Sequence, residues 1–135
     1  MARTSISIQI TGLDETIRNF RTMASGVVPV LAAALNQEHE VIMTKAKERT
    51  PVLTGALRAS GHVVPPVILT RTIKSIGAFG GTAAPYAVAV HEDLNAFHHV
   101  GRAKFYESAV REQRAQVRTA AKDAVHRYIA SRAGG

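Results

Sequence analysis

Five side chains able to ligate a metal or carry a proton crowd one short segment: His91, Glu92, Asp93, His98 and His99. Imidazoles and carboxylates at this density suit a divalent cation or an acid-base pair, so this is where chemistry would first be sought. The spacing argues against both. A zinc-binding helix would read His-Glu-x-x-His, which is absent, and a chain with no cysteine offers no thiolate. An acid-base role for His91 with Glu92 needs a nucleophile or a substrate pocket, and the flanking residues suggest neither. The expectation is a solvated polar loop with no metal, no cofactor and no catalytic residue. His39 stands alone on or beside the apolar stripe of a helix, where a partly buried, hydrogen-bonded histidine is expected.

A second constellation is electrostatic. The 135 residues carry a formal net charge of +7, with an isoelectric point near 10.4. Residues 102–135 hold eight basic and three acidic side chains, so most of the excess lies at that end. At 100° per residue, Arg111, Arg114, Arg118, Lys122 and His126 form a ridge on one helix face. Such a ridge is either a solvated face, a partner contact or a phosphate contact. Three Tyr, four Phe and no Trp, not interleaved with the cations, exclude a base-stacking platform. Any nucleic acid would be met through its phosphates, without sequence preference and with steep salt dependence.

The elements that must position these groups follow from periodicity. Ser5 to Ile10 alternates Ile6, Ile8 and Ile10 on one face, a half-buried strand. From Leu13 the pattern turns helical, with Leu13, Ile17, Phe20 and Met23 on one side, until Ser25-Gly26 interrupts it. A longer helix to about Glu48 follows, with Ser25 as cap, Pro29 in the first turn, and Val28, Leu31, Leu35, Ile42 and Ala46 as its core stripe. His62 to Thr70 and Arg71 to Phe79 read as antiparallel strands, with Pro65-Pro66 holding the first to an edge. Gly77 to Gly81 reads as a turn. Pro85 to Val90 leads into a short helix and loop, and a helix from about Lys104 to Arg132 closes the chain, with Tyr106, Ala109, Val110, Val117, Ala120, Ala121, Ala124 and Tyr128 facing inward. The result is a single α+β domain over residues 1–135: a small antiparallel sheet packed against a long helix from the N-terminal half and a long C-terminal helix. No apolar run approaches the ~18 to 20 residues of a membrane span, and the alternating N-terminus is unlike a secretory signal, so synthesis in the cytoplasm is expected.

Between the first long helix and the sheet lies Arg49-Thr-Pro-Val-Leu-Thr-Gly-Ala-Leu-Arg-Ala-Ser60. Pro51 stops the helix, Thr54 can cap a short turn, Gly55 lets the backbone bend, and Leu57 pins the turn to the core. This is a structural corner.

Pro51, Thr54, Gly55, Leu57 and Ser60, then Tyr86, Ala87, Val90 and Glu92, then Phe105 and Ala109, form an ordered set. In that order they resemble the neck and tail-completion proteins of long-tailed double-stranded DNA phages, small minor virion proteins. The resemblance spans about residues 10–130. Members often carry a bulky apolar residue where Gly61 stands, and Pro65-Pro66 and the His98-His99 pair have no counterpart in the pattern. The resemblance implies a non-enzymatic α+β subunit of a ring of roughly six or twelve copies. That ring, in the virion, joins the DNA-filled head to the tail and surrounds the DNA channel. It implies head-side and tail-side ring proteins as partners; exposed loops at residues 61–85 and 91–103 are expected to meet either these or neighbouring subunits. The alternative is a free, non-specific nucleic-acid-binding module using Arg111, Arg114, Arg118 and Lys122.

Overall fold

The computed structural model describes residues 5–10, 26–52, 55–69, 72–82, 84–96, 98 and 100–133, the side chains of 132 and 133 excepted. The helix expected over Leu13 to Met23, the Ser25 cap expected for the long helix that follows it, and Thr54 and His99 lie outside the described residues. The elements in order are β1 (Ser5–Ile10), α1 (Val27–Arg49), α2 (Ala56–Ser60), β2 (His62–Val63), β3 (Val67–Ile68), β4 (Ile73–Gly80), α3 (Ala87–Glu92) and α4 (Phe105–Ala133). This is an α+β fold: a four-stranded antiparallel sheet packed against two long helices.

The sheet is organised by β4. Its alternate residues Ile73, Ser75, Gly77 and Phe79 are buried, so a period of two sends them toward the helices. β1 pairs along one edge with Ile6 opposite Phe79, Ile8 opposite Gly77 and Ile10 opposite Ser75, which aims all three isoleucines at the core. Along the other edge β2 sets Val63 opposite Gly77 and β3 sets Ile68 opposite Ile73. The single strand expected over His62 to Thr70 is therefore two short ones. Pro65 and Pro66 have no amide hydrogen for the ladder, and the chain loops out between Val64, whose amide still reaches the Ile76 carbonyl at 2.9 Å, and Val67.

The turn expected at Gly77 to Gly81 is a correction. Gly77, Ala78, Phe79 and Gly80 belong to β4, and the chain leaves the strand only at Gly81. Gly77 marks a close approach rather than a bend, because a Cβ there would lie 2.2 Å from Tyr106 Oη and 2.9 Å from His39 Nε2.

α1 buries Leu31, Leu35, Ile42 and Ala46 as its periodicity requires, with Val28 half-buried. Thr50 ends it with an extended backbone, as the residue before a proline must, and its hydroxyl donates to the Ala46 carbonyl at 2.8 Å. The 29 residues of α4 span ~44 Å. Tyr106, Ala109, Val117, Ala121 and Ala124 face inward, joined by Gln113 and Val125. Polar contacts line the seam between the two helices: Lys45 donates to Gln113 Oε1 at 2.7 Å, and Glu112 pairs with both Lys45 and Arg49. Those two cations hold the Glu112 carboxyl below its ordinary range, Arg49 contributing most. At the sheet end Phe79 meets Phe105 and Tyr106 edge-on, with ring centroids 5.1 and 5.2 Å apart. Among the described residues no helix is long and apolar enough to cross a membrane.

Candidate functional site: the junction of the long helices

The corner residues assemble where α1, β4 and α4 meet. Gly55 has φ 85°, the left-handed conformation that lets α2 start at once. Leu57 is 2% exposed and belongs to the core. Ser60 ties α2 to the sheet, because its Oγ donates to the Leu57 carbonyl at 2.6 Å and accepts the Gly80 amide at 2.8 Å. Next in the chain, Gly61 has no room for a larger side chain: Phe79 would lie 2.5 Å and Met43 Sδ 2.9 Å from a Cβ. Phe79 fills that space from the neighbouring strand.

Residues 101–104 lace this corner to α3 and α4. Gly101 (φ 82°) passes so close to α1's end that a Cβ would stand 2.5 Å from the Arg49 carbonyl oxygen, the Thr50 carbonyl carbon and the Pro51 nitrogen. The Arg102 amide then donates to the Arg49 carbonyl at 2.9 Å, and the Lys104 amide to the His91 carbonyl at 2.7 Å.

His91 completes the junction. It is 3% exposed and packs edge-on against Phe105 at 4.9 Å. Its Nε2 accepts the Glu107 amide at 3.3 Å, which satisfies one of the orphan donors at α4's start. The proton must therefore sit on Nδ1, which donates to Glu92 Oε1 at 2.9 Å. Glu92 also pairs with Lys104, and Lys104 first, then His91, hold its carboxyl below the ordinary range. The same contact with Glu92 pushes the Lys104 ammonium up. The polar cluster expected as a loop is thus divided: His91 and Glu92, at the end of α3, brace α4, Asp93 Oδ1 accepts the Asn95 amide at 3.0 Å, and His98 is half-buried. Among the described residues no group of three or more His, Asp and Glu could hold a metal ion.

Of the second motif, Val90 packs on the core and Glu92 joins the junction, whereas Tyr86 is 42% exposed and touches neither role. On α4, Arg111, Arg114, Arg118, Lys122 and His126 are all exposed. Arg111 pairs with Glu107 at 3.3 Å. Arg114, Arg118 and Lys122 form no ion pair with any described residue.

One polar group in the core exceeds what its pattern suggests. His39 is fully buried, and a directed chain of hydrogen bonds runs through it. Ser75 Oγ donates to Asn36 Oδ1 at 3.1 Å, so it accepts from His39 Nδ1 at 2.8 Å, which leaves Nε2 to accept from Tyr106 Oη at 2.5 Å. Ser75 and Tyr106 are the partners that periodicity alone did not single out, although both stand in phase with buried apolar neighbours. Burial lowers the His39 pKa to about 4 and pushes the Tyr106 phenol up.

No family model matches the chain, and neither a curated protein nor a solved structure does.

Proposed function

We propose that this chain is a structural subunit of the ring that joins the DNA-filled head of a long-tailed phage to its tail, around the channel through which DNA passes. One observation carries the reading: residues of the resemblance, far apart in the chain, converge on one junction. Pro51 follows the end of α1, Leu57 and Ser60 lie on α2, Val90 and Glu92 on α3, and Phe105 at the start of α4, with residues 101–104 laced between the end of α1 and α3. A junction of this kind sets the angle between sheet and helices, which is what a repeated ring subunit needs held constant.

Two surfaces agree with that role. Val67, Ile68 and Leu69 on one segment, and Leu94 and Val100 on another, are exposed apolar side chains where adjoining head-side and tail-side ring proteins would dock. Along the seam, α1 and α4 leave a shallow groove lined by Val30, Ala33, Ala34, Gln37, Ala124 and Arg127. The second reading, a free nucleic-acid-binding module, draws on the exposed Arg111, Arg114, Arg118 and Lys122. It fits less well, because Glu107 already pairs with Arg111 and the exposed Glu112 and Asp123 share the helix.

The test is electron microscopy of particles made when the gene carries an early stop codon. DNA-filled heads with unattached or faulty-ended tails are the expected product. Normal, infectious particles would remove the proposal.

A further inference from the structure

Each long helix exposes a row of side chains spaced four residues apart, and the two rows have opposite charge. On α1 the row is Glu40, Thr44 and Glu48; on α4 it is Arg114, Arg118 and Lys122, and all six are exposed. The outer members of both rows are eight residues apart, which is ~12 Å along either helix axis. Rows of this i, i+4, i+8 kind are the ridges by which helices interdigitate. Glu40, Glu48, Arg114, Arg118 and Lys122 form no ion pair among the described residues, whereas the charges at the seam are matched within the chain by Glu112 with Lys45 and Arg49. One exposed apolar residue accompanies each row: Val41 on α1 and Ile129 on α4, both 39% exposed.

We infer that the Arg114–Arg118–Lys122 row of one copy docks on the Glu40–Thr44–Glu48 row of a second copy. In either helix direction the two carboxylates then face Arg114 and Lys122, with Thr44 opposite Arg118. The occupant is a copy of this chain because both complementary rows stand on the same chain with the same spacing. A nucleic acid would match the basic row and leave the acidic one without a partner. The two rows are different surfaces, so the contact is head-to-tail and repeats until it closes into a ring. The inference rests on the ring reading for that closure. Opposite charges set face to face attract in a salt-dependent way and set register and partner choice.

The experiment uses the full chain, its mass followed by sedimentation and light scattering at about 0.05 M and about 0.5 M salt, where screening differs several-fold. Wild type is expected to associate at low salt and to shift toward monomer at high salt. Glu40→Lys with Glu48→Lys, and separately Arg114→Glu with Lys122→Glu, should each weaken association at least about tenfold. An equimolar mixture of the two variants should restore it, since each supplies the face that the other has inverted. Restoration also shows that both variants are folded. A wild type that stays monomeric in low salt, variants that associate like wild type, or a mixture that stays monomeric overturns the inference. So does a basic-row variant that loses binding to duplex DNA while associating normally. If the charge swap works but stop-codon particles are normal, this contact stands and the neck role falls. Neckless particles from a chain that is monomeric on its own give the converse.

Discussion

Tyr106 Oη donates to His39 Nε2 at 2.5 Å across the interface of α4 and α1, and the bond is the first link of a chain that ends on Asn36. Each member has one direction open to it, so the buried polar groups are satisfied only if the histidine is neutral. Burial supports the same state by lowering the His39 pKa to about 4.

That shift has a sign in pH. The unfolded chain takes up a proton near the ordinary histidine value of 6.5, and the native state resists it until about 4. Stability from this group is complete above about pH 6.5, falls as pH drops toward 4, and levels off below. The full shift corresponds to up to about 3 kcal/mol. Urea unfolding of wild type and His39→Leu between these pH values should show a steeper loss in wild type. Parallel slopes would refute it. The paired carboxylates Glu92 and Glu112, held low by their cations, lose their contribution at more acid pH.

Gly77 and Tyr106 should be energetically coupled. Gly77→Ala places a methyl group 2.2 Å from the Tyr106 hydroxyl and should destabilise by about 1–3 kcal/mol. Tyr106→Phe removes that oxygen and leaves His39 Nε2 unpaired, at about 1–3 kcal/mol. Because the two losses overlap, the double variant should be less unstable than their sum, by more than about 0.5 kcal/mol. Strict additivity in a double-mutant cycle would show that the hydroxyl is not what Gly77 makes room for.

This pair also shows what periodicity can and cannot reveal. β1, α1 and α4 were legible because their apolar spacing is long and regular, and Pro51 marked the end of α1 because its effect on the preceding residue is local. Glycine-rich Gly77 to Gly81 read as a turn because composition reports backbone freedom, whereas the reason for Gly77 is a tyrosine from α4 lying against it. His39 was legible as a hydrogen-bonded histidine, but Ser75 and Tyr106 arrive from β4 and α4. At the junction, Leu57 and Ser60 stood out in their own segment, while the cap that His91 provides to α4 and the approach of Gly101 to Arg49 depend on long-range docking that no local pattern encodes.

Gly55 and Gly101 share a left-handed backbone, with φ 85° and 82°, but not the same surroundings. Nothing lies within 4 Å of a Cβ on Gly55, so Gly55→Ala should lose only the conformational preference, about 1–2 kcal/mol. Gly101→Ala adds a collision with the backbone of Arg49, Thr50 and Pro51, which cannot rotate away as a side chain would. Its loss should exceed that of Gly55→Ala by at least about 1 kcal/mol, and hydrogen exchange should rise at the Arg102 and Lys104 amides. Equal losses in thermal unfolding would mean that the strap does not press on the corner.

The corner itself is tested at Leu57. The side chain is 2% exposed and belongs to the apolar core, so Leu57→Asp buries a carboxylate there. The change should destabilise by about 3 kcal/mol or more, enough to prevent folding of a marginal domain. Leu57→Met keeps volume and apolarity and should lose less than about 1.5 kcal/mol. Circular dichroism and urea unfolding distinguish the two. A soluble, cooperatively folded Leu57→Asp protein would show that α2 is not pinned through this residue, and its attachment to the sheet would then be carried by the Ser60 bond to Gly80.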